Sequence, residues 1–288
     1  MLRQLQHFAE YAIVWCFFQL VGLLPPVSAS NFGGWLGRSI GPYVKRTKMA
    51  TRLMEQHLLE LTDKERSHAI DAMWDHLGRI LCEYPHLARG ALDTFITIEG
   101  SEHIEACIVS GKPAMIFSGH IGNWEIIPKA TSLCGLKLHI VYRPPNNPLI
   151  DRLIDTVRMA YSLGHYSKGK EGARGSLRAI SKGESIAILV DQKDNDGMLV
   201  PFLGTPAMTM TSAAKIAIKH RLCIIPARAI RVHGHHHRII YDPPLALPEG
   251  DDEAAVLALT QQFNDIISAW IREIPSQWFW LHRRWPKA

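Results

Sequence analysis

One stretch constrains this chain more than any other: Lys112-Pro113-Ala114-Met115-Ile116-Phe117-Ser118-Gly119-His120-Ile121-Gly122-Asn123-Trp124-Glu125. Residues 114–117 form a short apolar run, opened by Pro113 and closed by Ser118-Gly119. A central strand has this character when both its faces are covered. A helix-like segment over 123–134 follows, which puts His120 at the carboxyl end of a strand, where open α/β sheets place their ligands. Glu125 lies about one and a half helical turns further on. With a helix start near Gly122, the turn folds Glu125 back toward His120. A carboxylate on one imidazole nitrogen fixes the tautomer and leaves the other nitrogen free as a base. The glycines beside the histidine allow another backbone or a substrate to come close. A histidine and a glutamate at this spacing also occur together by chance, so the case rests on the remaining chain.

From residue 94 onward, strand-like and helical segments alternate. The pattern predicts strands over 94–98, 114–117, 136–142, 185–190, 198–202 and 222–231, with 238–241 as a hairpin partner. Helices are predicted over 102–110, 123–134, 149–163, 172–181, 210–219 and 252–274. This alternation specifies an α/β fold with a mostly parallel, helix-covered sheet. Polar residues close several strands: His120, Arg143, Asp191 and the loop before Pro226 should share one edge. Arginine suits an oxyanion or phosphate because its planar fork donates two parallel hydrogen bonds; singly, such arginines most often form solvated salt bridges.

The region before residue 94 is of another kind. Residues 8–24 are apolar apart from Glu10, Gln19 and Gly22. At about 17 residues the run is at the short limit for a membrane span, and it lacks a small-residue cleavage site. Arg3 precedes it, while Arg38, Lys45, Arg46, Lys48 and Arg52 follow. By the positive-inside rule the bulk of the chain lies on the cytoplasmic side. The expectation is a membrane anchor helix over 1–27, interfacial or spanning, followed by one domain over 28–288. The alternative is a buried core helix. Gly33-x-x-x-Gly37-x-x-x-Gly41 is a small-residue pattern that lets helices pack closely. Amphipathic helices are predicted over 49–61 and 63–87, the second opened by the capping box Thr62-Asp63-Lys64-Glu65.

Composition narrows the partners. The five cysteines are scattered and form no Cys-x-x-Cys pair, which argues against a disulfide framework or zinc site and for a reducing compartment. The formal charge of +5 suits an acidic partner: a phospholipid surface, an acidic carrier protein or nucleic acid. No nucleic-acid-binding module is legible, so the last is disfavoured. His233-Gly234-His235-His236-His237 has the look of a metal tract but falls between two strand-like runs, so a solvated hairpin tip is expected. The tail, with Trp278, Trp280, His282, Arg283, Arg284 and Trp285, suits either a membrane interface with its headgroups or simple core packing.

His120-x-x-x-x-Glu125, Tyr142-Arg143-Pro144 with Asn146-Asn147-Pro148, Asp191-Gln192 and the tail 275–284, in this order, resemble the bacterial lipid A secondary acyltransferases (the lauroyl/myristoyl transferase family). The likeness covers nearly the whole chain. That family is similar in fold to glycerol-3-phosphate acyltransferases, whose motif carries aspartate where Glu125 stands. The resemblance implies an enzyme on the cytoplasmic face of the bacterial inner membrane, without metal or other cofactor. It would move a fatty acyl group from acyl carrier protein to a hydroxyl of a lipid A precursor, in lipopolysaccharide biosynthesis. It implies His120 as general base, Glu125 as its orienting partner, and Arg158 as oxyanion stabiliser, with Arg152 a competing alignment. Asp191 takes a supporting role, and Arg143, Asn146, Asn147, Gln192 and Arg174 are expected to bind substrate. A basic cluster of Lys168, Lys170, Arg174 and Arg178 is expected to receive the carrier. Another membrane lipid as acceptor, a catalytically silent lipid-binding protein on this fold, and a metal hydrolase resting on the histidine tract are the alternatives.

Overall fold

The computed structural model describes residues 2–167 and 170–286, so Lys168 of the expected basic cluster, and the side chain of Lys170, lie outside what is described. Its strands are β1 (Ile96–Glu99), β2 (Ala114–Ser118), β3 (Leu138–Tyr142), β4 (Gly164–Ser167), β5 (Ser185–Leu189), β6 (Lys193–Phe202), β7 (Thr205–Thr209), β8 (Cys223–His233) and β9 (His236–Tyr241). Seven of them form one sheet in the order β1-β9-β8-β2-β5-β3-β4, while β6 and β7 form a separate ribbon. All neighbours in the large sheet run parallel except the β8–β9 hairpin. The fold is therefore α/β with a mostly parallel sheet, as the alternation requires.

The sheet is covered on both faces, which explains the unbroken apolar run of β2. Met115 and Phe117 enter one core, while Ala114 and Ile116 enter the other. The helices are α1 (Leu2–Gly22), α2 (Pro26–Ile40), α3 (Thr47–His57), α4 (Asp63–Leu87), α5 (Ser101–Ser110), α6 (Ile126–Leu133), α7 (Pro148–Arg158), α8 (Lys170–Ser181), α9 (Ser212–His220) and α10 (Glu253–Glu273). α3, α9, α10 and the tryptophan tail cover the first face, with the N-terminal half of α4. α1, α5, α6, α7 and the end of α4 cover the second. The capping box opens α4 as expected: the Glu65 N–H donates to Thr62 Oγ1, and the Thr62 N–H donates to Glu65.

The N-terminal region is packed onto the sheet. Phe18 and Val21 of α1 are buried, whereas Leu5, Phe8, Ile13 and Leu20 are exposed. Among the described residues no helix is long and apolar enough to cross a membrane, so the spanning form of the anchor is not met. α1 is in part the core helix of the alternative reading and in part an outward apolar face. The small-residue pattern acts as expected: a Cβ on Gly78 of α4 would stand 2.0 Å from the Gly33 carbonyl oxygen of α2. Only glycine permits that backbone approach.

β4 and β7 have no apolar alternation and were not anticipated. The hairpin tip also differs from expectation. His237 is buried against Glu83 (3.3 Å), so the histidine tract is solvated only in part. Of the two readings of the tail, core packing is the one met: Trp278, Trp280 and Trp285 are buried core residues.

Candidate active site

Sheet register builds the site. β2 pairs with β5, with Ser118 opposite Leu189. Two residues beyond these partners stand His120 and Asp191, side by side at the strand ends. His120 Nδ1 lies 2.7 Å from Asp191 Oδ1. Asp191 Oδ2 accepts from the His120 backbone N–H (2.7 Å) and from Trp278 Nε1–H (2.7 Å). Asp191 is fully buried. Burial opposes its charge, but the His120 imidazole and these hydrogen bonds outweigh burial and hold its carboxyl well below the usual range. A proton on Nδ1 leaves the Nε2 lone pair as an acceptor, and the Gln192 side-chain amide sits 3.2 Å from Nε2. That tautomer satisfies both contacts. Trp124 (5.0 Å between centroids) and Phe279 (6.1 Å) flank the ring.

Glu125 does not touch His120 in this way; the expectation of a His120–Glu125 pair is corrected here. Arg158 donates to it from both ends of the fork, Nη2 to Oε1 at 2.7 Å and Nε to Oε2 at 3.1 Å. The reason is local backbone. Gly122 is left-handed (φ +56), and a Cβ there would meet the Ala229 carbonyl oxygen at 1.5 Å. α6 therefore starts only at Ile126, and Glu125 precedes it, directed at α7. Arg158 is buried, and its guanidinium lies 4.6 Å over the Tyr142 ring. Burial disfavours its charge, but Glu125 more than compensates and raises its pKa. Arg158 Nη1 is buried without a hydrogen-bond partner. The competing Arg152 is exposed on α7, so Arg158 is the arginine that faces the site.

The loop carrying His120 and Glu125 is tied down from below. Gly122 N–H donates to the Gln277 carbonyl (2.9 Å), and the Asn123 side-chain amide donates to Glu83 Oε2 (2.9 Å). Glu83, on α4, is fully buried and also accepts from Ser30 Oγ (2.7 Å) and Arg231 Nη2 (2.8 Å). Burial opposes the Glu83 charge, and Arg231 with His237 overcomes this, holding it far below the usual range.

A cavity of about 470 Å³ opens beside His120. Ile116, Ile127, Ile140 and Ala187 give it apolar walls, while Glu125, Arg143, Arg158 and Gln192 supply its polar groups. Gln192 and Arg143 are thus at the cavity as expected. Asn146 is exposed on the loop before α7. Asn147 is corrected: its oxygen caps α7 at Leu149 N–H (3.0 Å), and its amide donates to the His7 carbonyl (2.8 Å) and Glu10 (3.0 Å). Both of its functions are structural. Arg174 is exposed on α8 and does not line this cavity. Trp124, Tyr142 and the tail residues Trp278 and Phe279 were not among the expected site residues. The aromatic density of the tail was the available signal.

A histidine oriented by a buried carboxylate, above a largely apolar cavity, defines an α/β enzyme site suited to acid–base chemistry on an apolar substrate. The family model described as bacterial lipid A biosynthesis acyltransferase matches residues 2–287, and the chain belongs to that family. It is 26% identical over 278 residues to the lipid A biosynthesis lauroyltransferase of Escherichia coli, covering 92% of this chain and 87% of that protein. A lipid A biosynthesis acyltransferase of Haemophilus influenzae is 24% identical over 285 residues, covering 94% of this chain and 87% of that protein. A phosphatidylinositol mannoside acyltransferase of Mycobacterium tuberculosis is 23% identical over 192 residues, 65% of this chain and 59% of that protein.

Proposed function

We propose that this acyltransferase moves a fatty acyl group from acyl carrier protein to a hydroxyl of a lipid A precursor, with His120 as general base. The observation that carries this reading is the His120 imidazole, held at Nδ1 by Asp191 (2.7 Å), with Nε2 beside the apolar cavity. The acceptor hydroxyl replaces the Gln192 amide at Nε2. Its oxygen attacks the thioester carbonyl while its proton passes to Nε2, and Asp191 stabilises the imidazolium. The carbonyl oxygen becomes an oxyanion, for which the unpartnered Arg158 Nη1 is a suitable donor. Collapse breaks the C–S bond, and the leaving thiolate takes the proton from Nε2. The ester has formed and the imidazole is neutral again.

In this scheme Glu125 acts through Arg158, fixing its charge and its fork. Arg143 and Gln192 border the cavity and bind substrate polar groups. Arg174 and Arg178, exposed on α8, are available to an acidic carrier. The outward apolar residues Leu5, Phe8, Ile13 and Leu20 of α1 support an interfacial seat on the cytoplasmic face of the inner membrane. The likeness to the mannoside acyltransferase favours a second acceptor reading, a glycosylated phospholipid. Incubating the protein with acyl carrier protein that bears a radiolabelled fatty acyl chain, and with each acceptor, tests both. Label in the lipid A precursor, absent with His120→Ala, is expected. Transfer only to the other acceptor overturns the first reading, and transfer to neither overturns both.

A further inference from the structure

Along the tail between Phe279 and Trp285 lie two features that the scheme above leaves unused. The first is an apolar groove of about 470 Å³ between α2 and α4, which shares Trp124, Glu125 and Phe279 with the cavity at His120. Its outer wall includes Ile40 and Leu81, both exposed. The second is a cleft of about 790 Å³ between α3, the β7 end and the tail, lined by Lys48, Arg52 and Arg283. No carboxylate lines this cleft, and among the described residues none forms a salt bridge with these three cations. The His57 ring stacks on Trp285 at 3.6 Å and bonds Thr205 Oγ1 at 3.2 Å, which fixes the cleft wall.

We infer that this cleft is the headgroup site of the acceptor lipid, with Lys48, Arg52 and Arg283 binding a phosphate while the lipid chain lies in the α2–α4 groove. The inference rests on the acyltransferase reading above. A reaction between two acyl-bearing substrates needs two apolar channels that meet at the base, and the shared residues Trp124, Glu125 and Phe279 form that meeting point. The groove has the exposed apolar lip that a membrane lipid requires. Leu281 lines the groove, and Arg283, two residues on, lines the cleft. Arg46 Nη1 donates to the Leu281 carbonyl (2.9 Å), tying the start of α3 to the tail between them. From Phe279 at the His120 ring to Arg283 is at most about 14 Å of chain, a span that one lipid bridges. Unpaired cations in a concave cleft repel one another until an anion arrives. Two of the three are guanidinium forks suited to phosphate oxygens.

The test compares a phosphorylated acceptor with the same lipid after phosphatase treatment, both in detergent micelles. Lys48→Glu/Arg52→Glu is expected to raise KM for the phosphorylated acceptor at least about ten-fold, with kcat nearly unchanged. KM for the dephosphorylated lipid and for acyl carrier protein should not move. Arg52→Lys should restore part of the loss. Leu81→Trp, which fills the groove, should raise KM for both lipids. A higher KM for acyl carrier protein would assign the cleft to the carrier and overturn the inference. Equal effects on both lipids, or none, would also overturn it. Direct binding of the phosphorylated lipid to His120→Ala protein separates the two readings. Binding that Lys48→Glu/Arg52→Glu abolishes supports the headgroup site even if transfer fails. Binding indifferent to that change overturns the site while leaving the transfer reading intact.

Discussion

Two carboxylates, Asp191 and Glu83, are both fully buried and both hold a cationic or ring-nitrogen partner, yet their surroundings differ in one respect. Glu83 is surrounded: Ser30, Asn123, Arg231 and His237 meet its two oxygens, and it lines neither the cavity at His120 nor the adjoining groove. Asp191 is equally saturated, but it is bonded to an imidazole whose other nitrogen borders a cavity. A saturated pair holds a fold in place. A pair with one outward valence can take a proton from a substrate. Asn123 joins the two regions, since it lies in the His120–Glu125 loop and donates to Glu83.

The largest effect that tests this contrast is on His120. His120→Ala should lower kcat by roughly a hundred- to ten-thousand-fold with little change in lipid binding and an unchanged circular dichroism spectrum. Near-normal transfer by the folded variant would remove the outward valence from the account.

Asp191→Asn should approach the same loss, and combining it with His120→Ala should add little, because the two act as a unit. Glu125→Gln should be non-additive with Arg158→Lys instead. Double-mutant cycles on kcat/KM decide between the pairings. Coupling of Glu125 to His120 that exceeds the coupling of Asp191 to His120 would restore the order expected from sequence.

On the structural side, Arg231→Met leaves Glu83 charged, buried and without its main partner. Loss of one member of a buried pair costs about 3–5 kcal/mol, which urea denaturation should detect. A shift confined to kcat, with normal stability, would make the cluster part of the chemistry.

The same cluster should make the fold sensitive to acid. Arg231 Nε also donates to Nδ1 of the buried His76 (3.0 Å). Burial, with the Arg231 cation, pushes the His76 pKa down from 6.5 to about 3, and burial also lowers that of His237. Between these values and 6.5 the unfolded chain binds more protons than the folded one, so stability falls as pH falls. Glu83, depressed below 4.5, adds to the loss at lower pH with the same sign. The urea midpoint should therefore be lower at pH 5 than at pH 7.5. An equal midpoint at both would show that these groups titrate alike in both states.

The smallest effect concerns the outer face of α1. Phe8→Ser/Ile13→Ser should weaken binding to anionic vesicles without altering the fold, and high salt alone should not release the intact protein. Vesicle sedimentation reads this, and unchanged binding would move the membrane contact elsewhere.

Much of this molecule is written locally. The apolar run before His120, the strand–helix alternation after residue 94 and the Thr62–Glu65 cap are short-range patterns. The run and the cap appear as read, and the alternation does so apart from β4, β7 and shifted helix ends. The glycine spacing of α2 likewise announced a close helix contact, although not that Gly78 of α4 was its partner. β4 was hidden because an edge strand without alternation carries no periodic signal. Asn147 reads in the sequence as a substrate ligand because a helix cap and a ligand look alike in one dimension.

The sequence by itself determined the class of fold, the strand-end histidine and the presence of carboxylates and arginines able to serve it. Only the tertiary structure decided which carboxylate meets which base. Glu125 is five residues from His120, yet the left-handed turn at Gly122 directs it to Arg158. Asp191 is 71 residues from His120, yet the β2–β5 register sets the two side by side. Proximity along the chain is a property of the sequence, whereas strand order arises from burying two sheet faces at once, which no local segment encodes.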